Sequence, residues 1–152
     1  MKAYAKNKYF IIGCLVGALG LSAPIAVEAS CLQSDLTGTW YATGVFGNTS
    51  GSFNGDLRCK LIVSSTGGIT PTGSSCIIRD NSGKFTMSLG ASALKVGSGC
   101  GLSGNIQVCG TQGCDNHKVD YGQIDKDKTI LNANLFTTTD PTDIASLTAI
   151  KQ

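Results

Sequence analysis

From Gly38 to Lys151, apolar residues fall at alternate positions in short runs, and each run ends in a cluster of Gly, Ser, Asn or Asp. Alternation with a period of two puts successive side chains on opposite faces of a strand, one for a core and one for water. No stretch sustains the 3.6-residue period of a helix. The pattern predicts strands over Gly38–Phe46, Leu57–Ser65, Ile69–Arg79, Lys84–Val96, Gly104–Cys109, Lys118–Ile124, Thr129–Thr138 and Ile144–Lys151. Their connections are short, which favours antiparallel neighbours, because a parallel crossover needs about a dozen residues or more. The expected fold class is all-β, a small antiparallel up-and-down barrel or sandwich of about eight strands, stapled by disulfides. Composition agrees: Gly, Ser and Thr make up 46 of the 123 residues from Ser30 onward.

The residues before Ser30 follow a different rule. Lys2, Lys6 and Lys8 precede an apolar run from Tyr9 to Val27, and Val27-Glu28-Ala29 offers small residues at the minus-three and minus-one positions of a cleavage site. That is the anatomy of a secretory signal peptide. The expected organisation is therefore a signal peptide over 1–29 and a single all-β domain over 30–152, exported to a secreted or periplasmic location. Ile11-Ile12-Gly13-Cys14 has a lipobox-like spacing, but Lys8 leaves too short an apolar core before it. Glu28 occupies an apolar position in front of Cys31, so no lipid anchor at Cys31 and no membrane span after processing are expected. From Ser30 onward nine Lys and Arg face nine Asp. A neutral domain gives no electrostatic reason to bind nucleic acid or an anionic membrane.

Six cysteines follow the leader: Cys31, Cys59, Cys76, Cys100, Cys109 and Cys114. An even number in an exported domain reads as a disulfide framework. If Gly67-Gly68 forms a two-residue hairpin turn, Thr66 faces Ile69, Ser65 faces Thr70, and Cys59 falls opposite Cys76. Counting along the ladder makes that a non-hydrogen-bonded pair, where side chains come closest. Pro71 opposes perfect register, since it cannot donate to a ladder and belongs at an edge or bulge. Cys109 and Cys114 flank the loop Gly110–Gly113 and can clip its base. Cys31 and Cys100 pair by elimination. Zinc ligation by Cys109, Cys114 and His117 is the competing reading, but structural zinc sites usually carry tighter cysteine spacing. No metal or other cofactor is expected.

Leu36-Thr37-Gly38-Thr39-Trp40-Tyr41 opens the first strand and holds the sole Trp. Gly-x-Trp at the start of a small antiparallel barrel resembles the calycins: lipocalins, avidins and the small bacterial metalloprotease inhibitors. The resemblance implies that Trp40 closes the barrel floor and that Lys151, in the last strand, lies over its indole. It does not imply biotin binding, because Ala42 and Phe46 stand where avidins carry an Asn and a Ser. Cys59, Leu61, Val63 and then Cys76 are similar to the inhibitor pattern, with residues 30–35 as the inserting segment such inhibitors use.

Catalytic constellations are thin. No Glu follows Glu28, His117 is the sole His, and no Gly-x-Ser-x-Gly elbow is present. His117 reads as a solvated residue at a strand edge. Asp125 and Asp127 read as turn residues, and Asp140-Pro141-Thr142-Asp143 lacks the spacing of a calcium loop. The expectation is an exported, non-enzymatic binding protein that engages a small apolar ligand or a protein partner. The alternatives are a structural or surface component of the envelope, or a protease inhibitor.

Overall fold

The computed structural model describes residues 30–152, so the expected signal peptide lies outside the described residues. A short 3-10 helix, Gln33–Leu36, precedes ten strands: β1 Gly38–Asn48, β2 Phe53–Val63, β3 Gly68–Ile69, β4 Ser75–Asp80, β5 Gly83–Leu89, β6 Ser92–Val96, β7 Leu102–Gly110, β8 Gly113–Ile124, β9 Ile130–Thr137 and β10 Asp143–Lys151. Strand β1 pairs with both β2 and β10, which closes the sheet. β3 and β4 are two pieces of one strand along β2, and β5 and β6 are two pieces of one strand along β7. The result is a closed eight-strand antiparallel barrel with up-and-down order. Closure gives every strand a neighbour on both sides, although β5 meets β7 only at Ser88 and Leu89, so its mouth-side residues Gly83–Met87 pair with β4 alone.

Both interruptions have local causes. Between β3 and β4 the chain leaves the ladder over Thr70 to Ser74, an excursion that holds Pro71. Ser74 returns its hydroxyl to accept from the Ile62 amide at 2.9 Å. Between β5 and β6, Gly90 and Ala91 bend around Gln107, whose carbonyl and side-chain oxygen accept their two amides. A Cβ at position 90 would meet Gln107 Oε1 at 2.0 Å, so a side chain there would push the Gln107 carboxamide off the Ala91 amide.

Two details correct the reading of the turns. The hairpin before β3 does not turn at Gly67-Gly68 alone. Ser64–Gly67 forms the turn, and Val63 rather than Thr66 faces Ile69. The Pro71 excursion then restores the register, and Cys59 stands directly opposite Cys76. The expected four-residue loop Gly110–Gly113 is also tighter, because Gly110 pairs with Gly113 and only Thr111 and Gln112 make the turn. Strand β8 accordingly begins at Gly113 instead of Lys118.

Three disulfides staple the barrel at three heights. Cys31–Cys100 ties the N-terminal segment to the β6–β7 turn at one end. Cys59–Cys76 crosses the wall between β2 and β4, and Cys109–Cys114 clips the β7–β8 hairpin at the other end. Such a framework belongs to an oxidising, extracellular-type environment. No described helix is long and apolar enough to cross a membrane.

Candidate functional site

Call the end that carries the 3-10 helix and Cys31–Cys100 the floor, and the end that carries Cys109–Cys114 the mouth. The floor is packed. Trp40 is 1 % exposed and Leu36 is fully buried. The Trp40 indole Nε1 donates to the Leu36 carbonyl at 2.7 Å. Lys151, opposite Trp40 in the β1–β10 ladder, holds its Nζ 5.5 Å from the ring centroid and donates to the Asp35 carbonyl at 2.9 Å. Gln33 fixes the helix from its other side, donating to the Leu94 carbonyl and accepting from the Val96 amide. The void left among Trp40, Leu36, Leu94, Leu102 and Leu131 is about 10 Å³, and its walls are apolar. A space that small holds at most one water, and this one offers a water no partners.

The mouth half is open. A cavity of about 820 Å³ runs from the mouth down to the level of Leu61, Ile106 and Leu147, where the packed floor begins. Phe46, Leu57, Ile78, Phe85, Met87 and Val108 form its apolar wall. Its composition changes with height, and the alternation of the strands makes the change systematic. Successive inward positions read Cys76, Ile78, Asp80 on β4; Val119, His117, Asp115 on β8; Ala133, Leu135, Thr137 on β9; and Leu147, Ala145, Asp143 on β10. These four strands pass from apolar to polar toward the mouth, whereas β1, β2, β5 and β7 keep apolar inward residues there, such as Phe46, Leu57, Phe85 and Val108. The cup has an apolar body and a polar collar.

His117 belongs to that collar and is not the solvated strand-edge residue the sequence suggests. It is half-buried, faces Thr137 across the β8–β9 ladder, and has its Nδ1 3.2 Å from Thr137 Oγ1. Burial pushes its pKa below the ordinary imidazole value, and the charges of Asp115 and Asp143 oppose that shift without reversing it. Asp140 lies in the β9–β10 turn, where it accepts from the Thr142 amide and hydroxyl; the hydroxyl bond leads in holding its pKa below the usual carboxylate value. Asp125 sits at the floor end, in the β8–β9 turn. It accepts from the Thr129 and Ile130 amides, and the Ile130 bond leads in lowering its pKa. Asp127 pairs with Lys126 in the same turn. Neither Asp125 nor Asp127 lines the cup.

Ala42 and Cys59 line the cup beside Leu61. Among the described residues, no group of three His, Cys, Asp or Glu side chains converges closely enough to hold a metal ion. The 30–35 segment is anchored by Cys31–Cys100, by the Cys31 amide donating to the Ser98 carbonyl, and by Gln33. The collar escapes a reading of the sequence because its members are scattered over Asp80, Asp115, His117, Thr137 and Asp143. A signal is there: each lies at or near the last inward position of its strand before a turn. It becomes visible only once the register says which parity faces inward.

No family model matches the chain, and no curated protein matches it. Among solved structures, a redesigned β-barrel aligns with a TM-score of 0.46 at 13 % identity, over 81 % of this chain and 98 % of that one. A likeness at that level carries nothing about fold or activity.

Proposed function

We propose that the protein is a non-enzymatic binding module of calycin type, exported by its N-terminal leader, that takes a small apolar or amphipathic ligand into the mouth half of its barrel. The observation that carries this reading is the 820 Å³ cup with an apolar wall above a packed floor. Its volume lies within the roughly 300–1,000 Å³ of small-molecule sites, and such sites combine apolar walls with a few polar groups that orient the ligand. A barrel that only needed to be durable gains nothing from an unfilled half, because missing contacts in a core cost stability. The exterior favours a water-facing barrel: Arg58, Lys60, Lys84, Lys95 and Lys118 occupy outward strand positions, where lipid exposure would be unfavourable. The anchored 30–35 segment favours ligand capture over protease inhibition, since an inserting segment must be free to leave the barrel.

The test is a titration of the purified, disulfide-bonded protein with an apolar fluorophore such as 1-aminoanthracene. Saturable binding with a blue shift is expected. Ala145→Phe, which places a ring in the cup from β10, should weaken it by about tenfold or more, since overfilling a site removes the contacts it was shaped for. Its melting temperature should stay close to that of the wild type. Absence of saturable binding in the wild type, or equal binding by a folded Ala145→Phe protein, would overturn the reading.

A further inference from the structure

The cup's collar carries one sign of charge. Asp80, Asp115 and Asp143 end the inward ladders of β4, β8 and β10, and Asp140 joins them from the β9–β10 turn. No Lys or Arg is among the described residues that line the cavity. From Ser30 onward the positive and negative side chains balance, so this is a segregation of charge and not a bias of composition. Asp80 and Asp140 accept hydrogen bonds within their own turns. Asp115 and Asp143 accept none from the described residues, and both act on His117 through their charge. His117, held neutral by burial at neutral pH, does not offset them. Just below the collar, Phe46 and Phe85 face the same space, and Phe85 is 41 % exposed. An aromatic face attracts a cation, as a carboxylate does, and neither attracts an anion.

We propose that the ligand is an amphiphile with an apolar body that fills the cup and a cationic, ammonium-type head that rests among Asp80, Asp115 and Asp143 at the mouth. This rests on the ligand-binding reading above and names the class of ligand within it. A bare divalent metal fits the collar poorly, because it needs several oxygens converging at about 2.0–2.6 Å. These carboxylates ring a cavity, and among the described residues no three His, Cys, Asp or Glu groups converge. A fatty acid would bring a like charge into the collar. A quaternary ammonium spreads its charge over its methyl groups and needs no converging oxygen ligands, which suits carboxylates spaced around a ring.

The experiment is calorimetric titration of the disulfide-bonded protein with three twelve-carbon probes, each below its micelle concentration: dodecyltrimethylammonium, dodecanol and dodecanoate. Solvated carboxylates each contribute about a two- to fivefold preference, so the ammonium probe should bind about tenfold tighter than dodecanol at low salt. Dodecanoate should be the weakest. The preference should shrink toward dodecanol at about 0.5 M salt, where screening shortens the reach of exposed charges. The Asp115→Asn/Asp143→Asn protein, which removes no hydrogen bond from the described fold, should lose most of the preference and keep its dodecanol affinity. If dodecanol binds as well as the ammonium probe, the cup stands and the cationic class is wrong. If the double variant keeps the full preference, or if millimolar calcium binds and displaces the ammonium probe, the collar has been misassigned. If none of the three binds, the ligand-binding reading itself fails.

Discussion

Gly38, Trp40 and Lys151 form one unit at the floor, and each explains the others. Gly38 has φ +136°, outside the range that other residues adopt readily, and a Cβ there would lie 2.9 Å from Lys151 Cε. Glycine is what lets the lysine stem cross the strand and reach both the indole and the Asp35 carbonyl. Trp40→Ala removes the largest fully buried side chain and should destabilise the protein by about 3–5 kcal/mol in chemical denaturation. A loss under about 1 kcal/mol would show that the floor is not packed around it. The juxtaposition of Trp40 and Lys151 was legible only through the Gly-x-Trp resemblance, which implies a basic residue of the last strand over the indole, and the β1–β10 ladder places Lys151 opposite Trp40. The acceptors for the indole and the ammonium were not, because they come from a 3-10 helix that no periodicity announces. His117 carries a pH prediction. Its lowered pKa means that the unfolded chain binds the proton more readily, so its contribution to stability is full above the ordinary value of 6.5 and is lost as pH falls below it. Denaturation midpoints should drop between about pH 7 and pH 5 in the wild type and less so in His117→Gln. Equal slopes would show that the imidazole is solvated in the folded protein.

At the scale of strands and their links, the eight runs of alternating residues were legible, and the details that failed share a cause. A turn fixes register only locally. The β2–β3 turn is centred earlier than the Gly67-Gly68 pair suggests, and the Thr70–Ser74 excursion compensates for it, so Cys59 and Cys76 face each other by a route that counting does not give. The alternation rule shortens β8 because Cys114 to His117 are polar and turn-like in composition. There they line a solvated collar, where a strand has no reason to be apolar. A bulge between Val119 and Tyr121 then moves the inward parity from Val119 to Gly122 and Ile124, which alternation alone does not reveal. The disulfides give a ranked prediction, since the loops they close differ in length, with sequence separations of 69, 17 and 5. In the loop-entropy account, replacing both members of a pair with Ser should cost about 4 kcal/mol for Cys31–Cys100, about 3 for Cys59–Cys76 and about 2 for Cys109–Cys114. Urea midpoints on the three double variants would check the order. A larger loss at Cys109–Cys114 than at Cys31–Cys100 would contradict it.

For the molecule as a whole, the division of the barrel into a packed floor and an open mouth matters most. Composition and alternation predict a closed or sandwiched sheet with one apolar face, and both of those forms are compatible with a core that is solid throughout. The floor is filled at its centre by Trp40 and Leu36, whereas in the mouth half the inward residues of β9 and β10 include small or polar groups such as Thr137, Ala145 and Asp143 opposite the apolar wall. Two cross-strand disulfides brace the open half, one in its wall and one at its rim, where core packing is thinnest. Pre-organisation of that kind lowers the ordering cost of binding. The most direct test is a backbone amide NMR map of the disulfide-bonded protein titrated with dodecanol below its solubility limit. The account predicts shifts confined to the mouth half, at Leu57, Ile78, Val108, His117 and Ala145, with Trp40, Leu102 and Ile124 at the floor unmoved. Shifts confined to outward positions such as Tyr41, Lys60 and Ile150, or none at all, would contradict it.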